Sequence, residues 1–305
     1  MKILITGGTG VIGRALTAEL TQSNHQVTVF TRNPQRSVSG AQTIQWDLDE
    51  LESWLPQIEK VDAVVHLAGE NLAGEGFFPT RWTLERKQRI VDSRIKTGRA
   101  LVTAIQQAKH KPQVFIQASA IGYYGPHGDE ILTESDKPGG DFLSQTCVEW
   151  ENATKSIEPL GVRRAVIRTG IVLTPDSGAL ARLLLPYKLF VGGPFGNGKQ
   201  WYSWIHIADE VAAIRYLIEN RAAVGNFNLT APNPLPNRDF GKKLGKVLKR
   251  PSLIPIPGFV LNALFGEVAT VVVDGQRVVP ERLQELGYKF KYPELEPALR
   301  DLLVS

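Results

Sequence analysis

Cysteine is nearly absent. Cys147 stands alone, so no disulfide can close within the chain and no multi-cysteine zinc site exists. A reducing compartment suits such a chain. The five histidines, His25, His66, His110, His127 and His206, are scattered without metal-ligand spacing, so no metal site is expected. No apolar run is long enough to span a bilayer. Charge of one sign is slight: 35 Lys+Arg against 31 Asp+Glu leaves +4. No basic run or basic–aromatic stripe marks a nucleic-acid or membrane surface, so neither is expected as a partner. No repeat or low-complexity tract is evident. Met1 leads directly into a strand pattern at Lys2. The expectation is a cytoplasmic protein, or one of an organelle stroma if a transit peptide has been removed.

What is there is an ordinary globular composition, 43% hydrophobic and 22% charged, across 305 residues. Short apolar runs at 2–6, 26–31, 43–46, 63–67, 114–118 and 164–168 predict strands. Helical patterns at 11–22, 84–109 and 142–157 fill gaps between them. Strand–helix alternation predicts a doubly wound parallel sheet of the Rossmann type, an α/β fold. After Gly170 the pattern loosens. A glycine-rich loop at 192–198 precedes a helix at 207–220, a strand at 225–229 and a proline-punctuated loop at 232–236. Past Arg250-Pro251 lies a mostly helical tail. The division predicted is a Rossmann domain at 1–248 and a smaller substrate-side domain at 249–305.

The first chemical signal is Gly7-Gly8-Thr9-Gly10-Val11-Ile12-Gly13, between the first strand and the first helix. Gly7, Gly10 and Gly13 suit a tight turn, close approach of backbone to a pyrophosphate, and packing of helix on strand. The N–H groups opening the helix then receive phosphate. The second strand ends in Thr31-Arg32, where an acidic residue would bond the 2′-hydroxyl of NAD. A guanidinium here, with Arg36 nearby, favours the 2′-phosphate of NADP. The run His66-Leu67-Ala68-Gly69-Glu70-Asn71 lets backbone pass close to a flat ring or ribose, and Asp47-Leu48 is placed to border an adenine. Each of these also reads as plain turn chemistry.

Together these pieces resemble the extended short-chain dehydrogenases/reductases. More closely, the chain resembles their atypical branch, called the epimerase family or SulA-like (cell-division-inhibitor-like), with a small C-terminal domain. The motifs carrying the likeness are the glycine run, His66 to Asn71, Ser93-Arg94, Ser119-Ala120-Ile121-Gly122-Tyr123-Tyr124-Gly125 and Trp150-Glu151. They continue through the stretch from Gly192 to Gln200, Trp204-Ile205-His206, Arg250-Pro251, Val279-Pro280 and Gly287-Tyr288. The resemblance implies NADP(H), with contacts from Thr31, Arg32, Leu67, Ala68 and Arg94. Arg94 stands where the wider superfamily has an Asn, placed to reach a phosphate or to fix the active-site loop. The likeness also implies dimers through the helices at 84–109 and 142–157.

That superfamily works with Ser and a Tyr-x-x-x-Lys pair. Ser119 matches the Ser, but Cys147 stands where Tyr is expected and Glu151 where Lys is expected. Three readings follow. Tyr123 or Tyr124 moves the proton beside Ser119. Alternatively, Cys147 or Glu151 is the acid/base. In the third, the site is not catalytic and the protein senses NADP(H). Packing is the plainer reading for both tyrosines, and a small buried residue the plainer one for Cys147. Glu70 and Glu134 are candidate cleft carboxylates. Aromatics at Trp201, Tyr202 and Trp204 suit a planar or sugar-like ligand or inter-domain packing. Asp209 is placed to orient His206, although anchoring of the next helix is preferred for that histidine. The function expected is an NADP(H)-dependent oxidoreductase or epimerase for a small substrate. The alternative is a non-catalytic NADP(H)-binding regulator of cell or organelle division with a protein partner.

Overall fold

A computed structural model describes residues 1–33, 35–74, 76, 78–175 and 177–304. Seven strands form the central sheet: β1 (Lys2–Thr6), β2 (Gln26–Thr31), β3 (Ala41–Gln45), β4 (Ala63–His66), β5 (Val114–Ala120), β6 (Arg163–Thr169) and β7 (Gly225–Leu229). All pairings are parallel, in the order β7-β6-β5-β4-β1-β2-β3. Order reverses between β1 and β4, so the crevice past their carboxyl ends is where such sheets take ligands.

Strand residues alternate between two covered faces, as the pleat requires. Ile3 and Ile5 of β1 join Leu16 and Leu20 of α1 (Val11–Gln22) in one core, with Ile214 and Leu217 further along the chain. Leu4 faces the other way, with Phe30, Val64 and Phe115. It meets Trp54 of α2 (Leu51–Ile58) and Leu101 and Ile105 of α3 (Leu84–Gln107). Burial of each such side chain is worth about 1.5–3 kcal/mol, so both faces are needed to hold the sheet.

Helix α4 (Phe142–Asn152) ends five residues sooner than the sequence pattern predicts, and a tighter 3-10 turn covers Lys155–Leu160. Arg164 explains the stop. Its guanidinium donates to the Glu151 carbonyl, to Thr154 Oγ1 and to Glu158. An orphan helix carbonyl is thereby satisfied and the chain is pulled off the helical path. Arg163, on the opposite side of β6, donates to the carbonyls of Leu217, Ile218 and Ala223 at the end of the helix before β7.

The remaining helices are α5 (Gly178–Lys188), α6 (Ile207–Glu219), α7 (Asn237–Leu248), α8 (Gly258–Phe265), α9 (Thr270–Val273), α10 (Glu281–Glu285) and α11 (Leu295–Leu303). Leu180 and Leu184 of α5, Phe240 and Leu244 of α7, and Leu295 and Leu299 of α11 share a third core with Tyr202 and Trp204. The expected loop at 232–236 contains a two-residue strand, Leu235–Pro236, antiparallel to Trp201–Tyr202. Proline is tolerated there because the ladder is so short. The tail also adds Arg277–Val278 as a parallel partner of Ile131–Leu132. The whole is a Rossmann-like sheet with a smaller C-terminal part, as the strand–helix alternation predicts. Among the described residues, no helix is long and apolar enough to cross a membrane.

Candidate active site

The turn after β1 is built by exclusion of side chains. Gly7 has φ +72°, and a Cβ there would lie 2.8 Å from the Leu67 carbonyl carbon and oxygen. A Cβ on Gly13 would meet the Gly7 oxygen and the Gly8 Cα at 2.5 Å. Gly10 donates its N–H to the Gly7 carbonyl at 3.0 Å, and Arg14 Nε holds the Thr9 carbonyl at 2.9 Å. Gly10 then opens α1 with no side-chain cap, and Val11 is 43% exposed. Orphan N–H groups and the positive end of the helix dipole therefore face outward with Val11 and Ile12. Leu67, Ala68 and Gly69 border this cradle from β4. Thr31 is buried and accepts the Asn33 N–H, which turns the chain so that Arg32 stands exposed beyond β2. The cradle fits a pyrophosphate: its walls are backbone, and a Cβ would fill it.

Arg94 lies beneath the Leu67–Gly69 loop. It donates to the Ile90 carbonyl at 2.9 Å and the Glu70 carbonyl at 3.2 Å, and it covers the Trp150 ring at 4.8 Å. Its ζ carbon is 3.1 Å from where a Gly69 Cβ would be, so Gly69 is small because Arg94 needs the room. Burial pulls the guanidinium down to about 10. Of the two roles open to Arg94, this geometry matches the brace of the loop.

Beyond the cradle lies a row of polar groups across adjacent strands. Ser119 on β5 is in register with Arg168 on β6, which is in register with Asn228 on β7. Ser119 Oγ donates to Glu151 Oε1 of α4 at 2.7 Å. Arg168 grips the same carboxylate with two nitrogens, Nε to Oε1 at 2.9 Å and a terminal nitrogen to Oε2 at 3.0 Å. Its other terminal nitrogen donates to Tyr124 Oη at 3.1 Å, and Tyr124 donates onward to Asn228 Oδ1 at 2.7 Å. Glu134 accepts the Asn228 N–H at 2.8 Å and closes the row. Its carboxyl is raised above the usual range, chiefly by burial.

The proposed proton carriers separate in this geometry. Tyr124 is fully buried, its hydroxyl both donates and accepts, and burial pushes it up to about 12. Tyr124 is thus a member of the network. Cys147 is buried, with Sγ 3.8 Å from the Ala120 carbonyl. Burial pushes the thiol up to about 11, with the Glu151 charge adding to it. A thiol so held stays neutral at ordinary pH. Tyr123 is half-buried with the Arg168 guanidinium 3.4 Å from its ring centroid, and its hydroxyl bonds no protein group among the described residues.

The other candidates disperse. Glu70 faces Arg86 at 3.6 Å. Asp209 does not orient His206; its carboxylate accepts the N–H groups of Lys291 and Tyr292 and ties the tail to α6. His206 Nδ1 instead accepts the Ala208 N–H and caps α6. Trp201 donates to Asp129 and lies 4.3 Å from the Arg277 guanidinium. It adjoins a cavity of ≈ 540 Å³ lined by His127, Lys199, Gln200, Arg238 and Asp274. No cluster of potential metal ligands occurs among the described residues.

The sequence model of the NAD dependent epimerase/dehydratase family matches residues 3–230. The chain belongs to that family. A second model, a domain of unknown function (DUF1731), covers residues 256–302 of this family member. Its relatives include "Epimerase family protein YfhF" of Bacillus subtilis, 39% identical over 307 residues, covering 100% of this chain and 99% of the relative. A crystal structure of human epimerase family protein SDR39U1 (isoform 2) with NADPH superposes with TM-score 0.90 at 32% identity, covering 100% of both chains. The chain is thus an atypical short-chain dehydrogenase/reductase of the epimerase-family branch. MoeE5, in complex with UDP-glucuronic acid and NAD, shares the fold at TM-score 0.79 and 19% identity, over 98% of this chain and 96% of the other.

Proposed function

We propose that this chain binds NADP(H) and acts as an oxidoreductase or epimerase on a small substrate. One observation carries the reading: the side-chain-free turn at Gly7, Gly10 and Gly13 delivers the uncapped end of α1 to the β1/β4 crevice. The N–H groups near Thr9, Gly10, Val11 and Ile12 hold the pyrophosphate, and Arg32 takes the 2′-phosphate through paired charge-assisted hydrogen bonds. Leu67, Ala68 and Gly69 pass their backbone beside the ribose, kept in place by Arg94. The NADPH in the SDR39U1 crystal structure supports the 2′-phosphate assignment.

When bound, the dinucleotide supplies or accepts the hydride. The chain's own part is to orient the substrate at Ser119 and to move a proton, for which Tyr123 is the group free to act. Calorimetry with NADPH, NADP, NADH and NAD tests the reading. Tight NADP(H) binding that collapses in Arg32→Ala while NAD(H) affinity is unchanged is expected. No binding of any dinucleotide would sink it.

A specific observation favours one other reading, a non-catalytic NADP(H)-binding regulator acting through a protein partner. The positions of the superfamily Tyr and Lys hold a neutral thiol and a carboxylate locked to Arg168. Pull-downs with and without NADPH test it, and a partner set indifferent to the cofactor counts against it.

A further inference from the structure

We infer that Glu151, clamped by Arg168, fixes Ser119 as a hydrogen-bond acceptor toward the cleft, so the site selects a substrate whose reacting group is a donor. The substrate class is therefore an alcohol or amine, bound through its O–H or N–H, and not a carbonyl seeking a proton. The inference deepens the dinucleotide reading and rests on it.

The argument is a count of protons. A serine hydroxyl has one proton and two acceptor lone pairs. The one proton of Ser119 points at Glu151 Oε1. An ionised carboxylate has no proton to return, and Arg168 satisfies both of its oxygens with a two-pronged donor set. Arg168 is itself 1% exposed and spends its third nitrogen on Tyr124 and the Glu134 carbonyl, so it cannot swing away.

One other group among the described residues meets the serine: the Cys147 thiol, which hydrogen-bonds Ser119 as well as the Ala120 carbonyl. Burial keeps that thiol neutral, and a neutral sulfur is a far weaker acceptor than the Glu151 carboxylate, so the serine proton stays aimed at Glu151. Meanwhile Ser119 keeps 4% exposure at the carboxyl end of β5, two residues past Gln117, which pairs with the last residue of β4. A lone pair not met by the Cys147 thiol is what remains for a ligand. In the resembling superfamily the residue four after the Tyr position is a Lys, which cannot take a proton from serine. The exchange of that Lys for Glu151 reverses the polarity of Ser119. Glu151 and Arg168 are positioning residues here, since both act through Ser119.

Neutron diffraction from deuterium-exchanged crystals of the full chain tests the placement directly. The expected map has one deuteron on Ser119 Oγ aimed at Glu151 and none on Glu151. A deuteron on Ser119 aimed into the crevice, or one on Glu151, overturns the inference. Ligand-observed NMR tests the consequence, with cyclohexanol and cyclohexanone as matched probes of NADP-saturated protein. The alcohol should bind roughly threefold to tenfold more tightly, the worth of one net hydrogen bond. Ser119→Ala should level the two. Glu151→Gln should shrink the preference, because an uncharged amide oxygen holds the serine proton less firmly than a carboxylate. Equal affinities in the unaltered protein, including no binding of either probe, overturn the inference. The neutron arm needs no variant, so it decides even where Glu151→Gln does not fold. Calorimetry separates the two claims: a missing NADPH isotherm with the expected deuteron sinks only the cofactor reading.

Discussion

The turn at Gly7 and the row behind Ser119 lie at the same edge of one sheet and are made in opposite ways. The turn has no charged side chain, makes its contacts with backbone, and leaves helix N–H groups open. The row is all side chain, drawn from β5, α4, β6 and β7, with its partners accounted for inside the protein. Open backbone donors suit a ligand that brings its own charge. A closed network suits the task of holding one hydroxyl in one orientation. The turn can thus be read as a local shape, whereas the row exists only after folding.

Severing the row should have the largest effect. Arg168→Met leaves Glu151 buried without its partner, and a loss of about 3–5 kcal/mol in urea unfolding is expected. The double variant Arg168→Met/Glu151→Leu should regain most of it, because neither charge is then stranded. A single-variant loss below ~1 kcal/mol would show that the row is not the closed network described.

The next largest effect comes from buried titratable groups that flank both regions, since the turn from Gly7 to Gly13 contains none. His66 on β4 is pushed down to about 3 by burial, and Glu210 on α6 is pushed up to about 8 by burial. A depressed histidine contributes stability above its ordinary value of 6.5, lost as pH falls toward 3. A raised carboxyl contributes stability below its ordinary 4.5, lost as pH rises toward 8. Between 4.5 and 6.5 the two slopes cancel. Melting temperature against pH should show a broad top there and fall on both sides, each limb approaching about 1.4 kcal/mol per pH unit. Glu210→Gln should flatten the alkaline limb and tilt the top, because the histidine slope between 4.5 and 6.5 is then uncompensated. A limb unchanged by that variant would place the titration elsewhere.

How much was legible follows the same division. Strands β1, β2 and β7 and helix α1 agree with the sequence reading residue for residue, because apolar runs and glycine turns are local signals. The early end of α4 was not legible, since it depends on Arg164, which reaches it from β6. Glu151 was noticed as a misfit for a lysine position, while its partner Arg168 was missed. A signal existed: Arg168 directly follows the apolar run Ala165-Val166-Ile167 at the carboxyl end of its strand, and an arginine buried there demands a carboxylate. Tyr123 and Tyr124 are neighbours of the same type, and only their packing separates a sealed hydroxyl from a free one.

The turn itself breaks more cheaply than the row and with a different signature. Gly7→Ala places a methyl group against the Leu67 backbone at a positive φ. A loss of about 1–3 kcal/mol in stability is expected. NADPH affinity should fall much further than that figure implies, because the Leu67 loop must move out of the cradle it borders. Stability and NADPH affinity falling in the same proportion would mean the turn has no special part in binding.

The smallest effect should come from Cys147, and its size bears on what replaced the superfamily tyrosine. Cys147→Ala removes one sulfur from a packed position, and about 1 kcal/mol of stability is expected to go with it. Cofactor affinity should not change. Reactivity gives the sharper test. A thiol held at about 11 is ionised in only about one molecule in a thousand at pH 8, so alkylation by iodoacetamide in the native state should be slow. It should speed up once urea opens the fold. Rapid native labelling at pH 7 would mean a thiolate beside Arg94. Cys147 would then compete with Glu151 for the serine proton, and the orientation assigned to Ser119 would fall with it.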